Sequence, residues 1–512
     1  MKQALFPIAW TVAGSDSGAG AGLQADLRAF DAFGVHGCCA VAAITAQNSV
    51  AVQAVEAVSH RMLDAQLAAL AADLPPAAIK AGMLGSAGNL HALVRWIDRL
   101  RESRPGLPLV VDPVLGSTTG TSFANEELLQ AYRRTLLPRT SLLTPNRREA
   151  AALLGQAPLQ SRADVEQAAK ALLEMGCQAV VITGGDDGGD SSEDYAATPH
   201  ASGWLTLARV ATPHHHGTGC VFASSAAAAL ALGFVEIEAI ILAKMATAQA
   251  LRHGYAAGLG AGPVRPRAGF GLDAENLPHF SIPGRARGDG FAALADADLG
   301  LYAVVDSATW VRRVLDGGVR TVQLRIKSAE HPTLRDELRA SIAAARAVNA
   351  QLFINDHWQL AIEEGAYGVH LGQEDLETAD LAAIAQAGLR LGISTHAYWE
   401  VCRALRLQPS YIACGPIHPT QAKAMPWLPQ GNDNLAYWCR LLPLPVVAIA
   451  GMDMERALQA AQCGAAGVAV ISAITAAAAP EAAIMDLQNA IRTGQRLAQR
   501  QPAALPRPTL LR

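Results

Sequence analysis

Short apolar runs separated by stretches of helical spacing recur along the whole chain. In the first half they are Ile8–Ala13, Val41–Thr45, a run at Ile79, Leu109–Val111, Leu142–Leu143 and Val180–Ile182. In the second half there are eight: Leu301–Val305, Thr321–Ile326, Leu352–Ile354, Gly368–Leu371, Leu391–Ile393, Tyr411–Ala413, Val446–Ile449 and Gly467–Ile471. Such runs predict buried strands, and the text between them predicts helices. Trp358, Leu360, Ala361 and Ile362, for example, fall at helical spacing between two runs. Strands alternating with helices imply an α/β fold, with a mainly parallel sheet and helices on both faces in the first half. Eight βα units in roughly 200 residues predict a (β/α)8 TIM barrel in the second.

The joins are read from turn residues. The segment from Thr183 to about Gly203 is turn-rich, and Gly258–Gly262 with Pro263 and Pro266 marks the end of the first domain. Gly271–Asp298 has no persistent apolar period and reads as a linker with one short helix. The expected organisation is 1–270, a linker 271–298, and 299–505. Ala-rich Cys220–Phe234 is interrupted by Ser224, Ser225 and Gly233. It is short for a membrane span and reads as a buried helix.

Composition narrows the function classes. Of 512 residues 51% are hydrophobic and 17% charged, with a formal net charge of −4. Nothing there suggests a nucleic-acid surface or a polybasic membrane patch. The eight cysteines show no CxxC and no His/Cys ligand spacing, so they read as reduced thiols of a cytoplasmic protein. The N-terminal apolar run leads directly into a glycine loop, unlike a signal peptide. A homo-oligomer stays open.

Chemistry collects where the predicted strands end, the edge at which α/β folds hold ligands. In the first half a strand enters GSDSGAGAGLQADL, a way to bring backbone N–H groups near a ligand, although its spacing is not the dinucleotide GxGxxG. Gln47, at a strand end, can donate and accept at once, which suits a pyrimidine edge; a loop-capping amide is the plain alternative. Gly217, Thr218 and Gly219 feed the Ala-rich helix, whose free N–H groups make an anion hole. Cys220 stands at that helix start, where a thiol's pKa is typically lowered, or is simply a small packed residue. Three adjacent histidines before it would not converge on one metal ion.

In the second half the strand ends carry Gln323, Arg325 and Lys327, then Asn355 and Asp356, then Gln373 to Asp375, Ser394 to His396, Thr420, Lys423 and Ser472. Helix caps alone do not explain cations, acids and hydroxyls together. Arg325, Lys327 and Lys423 suit a phosphate. Each carboxylate beside that phosphate would repel it by about 4 kcal/mol at about 4 Å and an effective dielectric of about 20. A Mg²⁺ shared by Asp356, Asp375 and the phosphate reverses the sign. Gly451 and Ser472, after the seventh and eighth strands, fall where such barrels hold a second phosphate. The residues therefore predict a transferase with a Mg²⁺-diphosphate donor and a phosphorylated acceptor.

Six motifs in order, AGSDSGAGAGLQADL, ITAQNS, KAGMLGS, DPV, TPNRREA and HGTGC, make the first half resemble the hydroxymethylpyrimidine/phosphomethylpyrimidine kinases of the ribokinase-like α/β sandwich fold. The resemblance implies two ATP-dependent phosphorylations, of 4-amino-5-hydroxymethyl-2-methylpyrimidine and of its monophosphate. It places Gln47 on the pyrimidine and Asp26 in the loop covering it. Gly217, Thr218 and Gly219 fall at the transferring phosphoryl group, with Cys220 as base and Asn146 and Glu149 toward Mg²⁺ and phosphate. Ala19 interrupts the usual glycine run, and Thr183 stands where the family carries lysine. A pyridoxal/pyrimidine kinase of broader specificity and a non-catalytic pyrimidine-binding regulatory domain are the alternatives for this half.

The second half, through VQLRIK, LFINDHWQLAI, GVHLGQEDL, LGISTH, YIACGPIHPTQAK, PVVAIAG and GVAVISAI, resembles thiamine-phosphate synthase. That implies loss of diphosphate from 4-amino-2-methyl-5-(diphosphooxymethyl)pyrimidine to Mg²⁺ and attack by 4-methyl-5-(2-phosphoethyl)thiazole. Gln323, Leu324, Arg325, Ile326, Lys327, Asn355, Ser394 and Lys423 match the pyrimidine-diphosphate positions. Asp356 and Asp375 match the Mg²⁺ ligands; Thr420, Gln421, Ala422, Gly451, Ile471 and Ser472 match the thiazole-phosphate positions. Ala422 replaces a usual threonine and Ala450 the first glycine of a pair. Joined in one chain, the halves imply a bifunctional enzyme of thiamine biosynthesis, acting on small molecules with ATP and Mg²⁺.

Overall fold

The apolar runs of the first half form the parallel centre of one sheet. The computed structural model describes residues 6–116, 123, 125–185, 188–285, 290–420, 426–497 and 499–511. The chain divides into two units, Met1–Ser281 with Leu511–Arg512, and Ile282–Leu510.

The strands of the first unit are β1 (Ile8–Asp16), β2 (His36–Gln47), β3 (Val52–Ala57), β4 (Ala78–Ala81), β5 (Leu109–Val111), β6 (Leu142–Leu143), β7 (Val180–Ile182), β8 (Ser191–Ala197), β9 (Ser202–Ala208) and β10 (His279–Phe280). Among the described residues they form a ten-stranded sheet in the order β10-β9-β8-β7-β6-β5-β4-β1-β2-β3. From β2 through β1, β4, β5 and β6 to β7 all pairings are parallel. The outer pairs β2–β3, β7–β8, β8–β9 and β9–β10 are antiparallel. The parallel strands therefore end at one edge, which also receives the uncapped start of the helix Thr218–Ala231. Small side chains let that helix lie close to Gly22–Ala32, with Ala25, Ala29, Val221, Ala250 and Val264 in one buried cluster.

The turn-rich segment expected up to Gly203 is instead largely the β8–β9 hairpin, whose mixed polar text suits an antiparallel pair with one wet face. The stretch expected as a linker, 271–298, is built into the two units. Phe280 of β10 pairs with Leu205, and Phe270, Leu277 and Phe280 are buried. Farther on, the backbone of Ala292 and Ala293 accepts from Ser410 and Arg390 of the second unit. Residues 286–289 lie outside the described residues.

The eight runs of the second half are β11 (Gly300–Val305), β12 (Thr321–Leu324), β13 (Gln351–Asn355), β14 (Gly368–Leu371), β15 (Arg390–Thr395), β16 (Tyr411–Cys414), β17 (Val446–Ile449) and β18 (Gly467–Val470). All neighbours are parallel, and β11 closes on β18 with Leu301 opposite Val468. Tyr302, Phe353 and Tyr411 fill the interior with Val304, Ala413, Val447 and Ala469. Gly392 makes room for the aromatic fill: a Cβ there would lie 2.1 Å from Cζ of Tyr411. The barrel is a packed core whose chemistry is confined to the mouth where the strands end.

Candidate active sites

A cavity of about 650 Å³ opens at the carboxyl edge of the first unit's sheet. One wall is the glycine loop, and Asp16 organises it. Its carboxylate accepts from the N–H groups of Gly18 (2.8 Å), Gly20 (3.0 Å) and Ala21 (2.9 Å) and faces Nε2 of His216 at 3.2 Å. Burial alone would raise the Asp16 pKa, but the His216 and backbone hydrogen bonds bring it below the usual value. His216 also lies 3.3 Å from Nε2 of Gln47, which closes β2 in the same wall. Gly217, at φ +84°, turns the chain into the helix Thr218–Ala231; a Cβ there would lie 2.1 Å from the Gly20 carbonyl oxygen. No side chain caps this helix start, and Gly217, Thr218, Gly219 and Cys220 all line the cavity.

Behind that wall sits a buried charge cluster. Lys80 Nζ donates to both Asp26 oxygens at 3.0 Å and lies 3.6 Å from Asp112. Thr11 (2.6 Å) and Ser224 (2.7 Å) also donate to Asp26. Burial would lower the Lys80 pKa, but the neighbouring negative groups, Asp26 first and then Asp112 among them, together outweigh it and hold the ammonium charged. Burial pushes the Asp112 carboxyl up against the pull of Lys80. Asn146 and Glu149 form a capping box: Asn146 Oδ1 accepts from the Glu149 N–H (2.9 Å), and Glu149 Oε2 accepts from that of Asn146 (3.0 Å). Both line the cavity, as do Thr183 and the ion pair Lys244–Asp194 (2.7 Å).

In the second unit, barrel closure brings the ends of all eight strands together. Asp356, just after β13, takes a left-handed turn (φ +63°) and accepts from Asn355 Nδ2. Partial withdrawal from water and then the Asp375 charge raise its pKa, while Arg325 pulls it down. Asp375 opens a short helix after β14 and accepts from the Gly372 N–H at 3.0 Å. Two carboxylates that repel one another beside an arginine form a donor set of the kind that holds a hard divalent cation together with a phosphate. Among the described residues no three His, Cys, Asp or Glu side chains converge on a possible metal position. Gln323 and Leu324 end β12, and Arg325, Ile326 and Lys327 follow it; Ser394 is in β15; Thr420 follows β16, Gly451 follows β17, and Ile471 and Ser472 follow β18. Gln421, Ala422 and Lys423 lie outside the described residues.

Two family models divide the chain as the fold does: Phosphomethylpyrimidine kinase matches residues 16–265 and Thiamine monophosphate synthase residues 301–474. Thiamine biosynthetic bifunctional enzyme TH1, chloroplastic, of Arabidopsis thaliana is 35% identical, covering 91% of this chain and 90% of its own. The chain belongs to the bifunctional thiamine biosynthetic enzymes. The probable rice counterpart (Oryza sativa subsp. japonica) is 33% identical over 92% of this chain and 86% of its own. Thiamine-phosphate synthase of Klebsiella pneumoniae is 56% identical over 35% of this chain and 86% of its own. The bifunctional enzyme thus carries a ribokinase-like kinase and a TIM-barrel synthase. It phosphorylates the pyrimidine alcohol and its monophosphate, then condenses the diphosphate with thiazole phosphate to thiamine phosphate. The broader-kinase and non-catalytic alternatives for the first half are not favoured. Among the described residues no helix is long and apolar enough to cross a membrane.

For this bifunctional enzyme two expectations need correction. Asp26 is not in a covering loop: it lies in the helix Gly22–Ala32 at 0% exposure, locked to Lys80. The Cys220 thiol is not lowered either. Its enclosure pushes it up to about 12, against the pull of Lys80, because burial outweighs the helix start. Residues overlooked in the sequence are Asp16, Lys80, Asp112, His216, Lys244 and, under the barrel mouth, His370. For Lys80, Lys244 and His370 the signal was a charged or titratable residue inside an otherwise apolar strand or helix, as in AIKA and GVHL.

Proposed function

We propose that the kinase cavity binds the pyrimidine at Gln47 and receives the transferring phosphoryl group at the N–H groups of Gly217, Thr218 and Gly219. Asn146 and Glu149 face the Mg²⁺-nucleotide. A loose phosphoryl-transfer transition state leaves little covalent chemistry to the protein, so positioning and the anion hole carry the rate. Cys220, a thiol whose pKa burial raises, lines that hole.

In the synthase, Asp356 and Asp375 would hold Mg²⁺, which when bound neutralises the departing diphosphate. Gln323 to Lys327, Asn355, Ser394 and Lys423 bind the pyrimidine diphosphate. Thr420, Gln421, Ala422, Gly451, Ile471 and Ser472 take the thiazole phosphate. The observation that supports this assignment is that Asp356, just after β13, and Asp375, opening the helix after β14, follow neighbouring strands at the barrel mouth, where the Asp375 charge helps raise the Asp356 pKa and Arg325 lowers it. Asp375→Asn tests it: condensation of supplied donor and acceptor falls by orders of magnitude while pyrimidine phosphorylation continues. Near-normal condensation at limiting Mg²⁺ would refute it. The eight free cysteines support a reducing compartment, the cytoplasm.

A further inference from the structure

Beneath the synthase mouth a chain of hydrogen bonds crosses the barrel interior. Gln323 Nε2 donates to the Tyr302 hydroxyl at 3.4 Å, and the Tyr302 and Tyr411 hydroxyls are 2.7 Å apart. Tyr411 Oη lies 2.8 Å from His370 Nδ1, and His370 Nε2 lies 2.8 Å from Ser394 Oγ. Gln323, Tyr302, Tyr411 and His370 are all buried, at 3%, 2%, 0% and 5% exposure, and only the contact to half-buried Ser394 opens toward the mouth. Only the two ends, Gln323 and Ser394, belong to the substrate positions.

A hydroxyl has one proton to give, so an unbroken chain runs either in one direction or in its reverse. With the Gln323 amide donating to Tyr302, Tyr302 donates to Tyr411 and Tyr411 donates to His370 Nδ1. The neutral ring then carries its proton on Nε2 and donates to Ser394. The Ser394 hydroxyl, already accepting, has its own proton left for the ligand. At the other end, Gln323 keeps Oε1 as an acceptor. The reversed chain would present an N–H from Gln323 and only lone pairs from Ser394. An anion rejects that arrangement, and a ligand with an amino group at one end and a diphosphate at the other selects the first.

We propose that His370 is a positioning residue of the synthase, held as its Nε2–H tautomer by Tyr411 so that the Ser394 hydroxyl donates to the donor diphosphate. The inference rests on the reading that Ser394 meets that diphosphate. Tyr302 and Tyr411 are equally buried in one aromatic cluster, yet they differ in the relay. Tyr302→Phe keeps the Tyr411 hydroxyl beside His370 Nδ1, where the diphosphate at Ser394 still selects donation from Tyr411 to His370. Tyr411→Phe removes the donor that fixes the tautomer.

The experiment is steady-state condensation by the full chain with supplied pyrimidine diphosphate, the kinase activity serving as the check on folding. Ser394→Ala and Tyr411→Phe should each raise the KM for the donor roughly tenfold to a hundredfold, the range expected for one hydrogen bond to a charged group. Tyr302→Phe should change it by less than about threefold, and the Ser394→Ala/Tyr411→Phe double variant should be no worse than Ser394→Ala alone. An unchanged KM in Ser394→Ala would overturn the site reading and the proposal with it. A raised KM there with Tyr411→Phe inert, equal effects of the two tyrosines, or additive effects in the double variant would overturn the relay alone. The ¹⁵N shifts of His370 in the unaltered full chain, assigned against His370→Gln, give a test that needs no folded tyrosine variant. A proton on Nε2 is expected, and one on Nδ1 would overturn the proposal.

Discussion

Asp26→Asn separates a structural acid from a substrate ligand. The substitution keeps the shape of the side chain and removes its charge. Lys80 then loses a partner 3.0 Å from its ammonium, in a pair whose side chains are both 0% exposed, and keeps only Asp112 at 3.6 Å. Breaking a buried pair costs about 3–5 kcal/mol; the remaining Asp112 pulls the figure toward the lower end. The new amide NH₂ pulls it back up, because it cannot accept from all of Thr11, Ser224 and Lys80 as the carboxylate does. A loss of about 4 kcal/mol is expected. With a urea dependence of about 3 kcal/mol per molar, the midpoint at which kinase activity disappears should fall by more than about 1 M. The condensation midpoint should not move, and the pyrimidine KM in the absence of urea should stay the same. An unchanged urea midpoint with a raised pyrimidine KM would refute the argument and return Asp26 to the substrate.

Cys220→Ser should keep the kinase rate within about tenfold, where loss of a general base would cost roughly a hundredfold or more. Because burial holds the thiol up to about 12, it is neutral below that pH, so the kinase pH–rate profile should show no thiol limb between pH ~6 and ~9. A limb there that disappears in Cys220→Ser would contradict this. Gly392→Ala should destabilise the barrel by about 1–3 kcal/mol, since its Cβ would lie 2.1 Å from the Tyr411 ring, and should leave kinase unfolding unaffected. An unchanged condensation midpoint in urea would show that Tyr411 can move.

The barrel was legible because its strands are buried on both faces and read as unbroken apolar runs, each ending in the polar residues of the mouth. The β8–β9 hairpin was not, since SSEDYAA and SGWLTLA are half polar and sit among turn residues. Asp26 shows a harder limit. An aspartate after a glycine loop reads as a ligand or a cap, and only Lys80, 54 residues away, makes it a core residue. Cys220 misled for a similar reason: the helix start is local and visible in the sequence, whereas its enclosure comes from elements far along the chain. His370 sits in the apolar run GVHL, and its partners Tyr411 and Ser394 come from other strands.

The central claim is that one chain makes a pyrimidine diphosphate at one site and consumes it at another. The direct measurement supplies the pure protein with the pyrimidine alcohol, ATP, Mg²⁺ and thiazole phosphate and follows all products over time. Thiamine phosphate should form in the unaltered enzyme. Asp375→Asn should instead accumulate pyrimidine diphosphate with little thiamine phosphate, because the kinase site needs nothing from the barrel. Thiamine phosphate formed by Asp375→Asn at the normal rate, or a failure of the unaltered chain to phosphorylate the alcohol, would contradict the account.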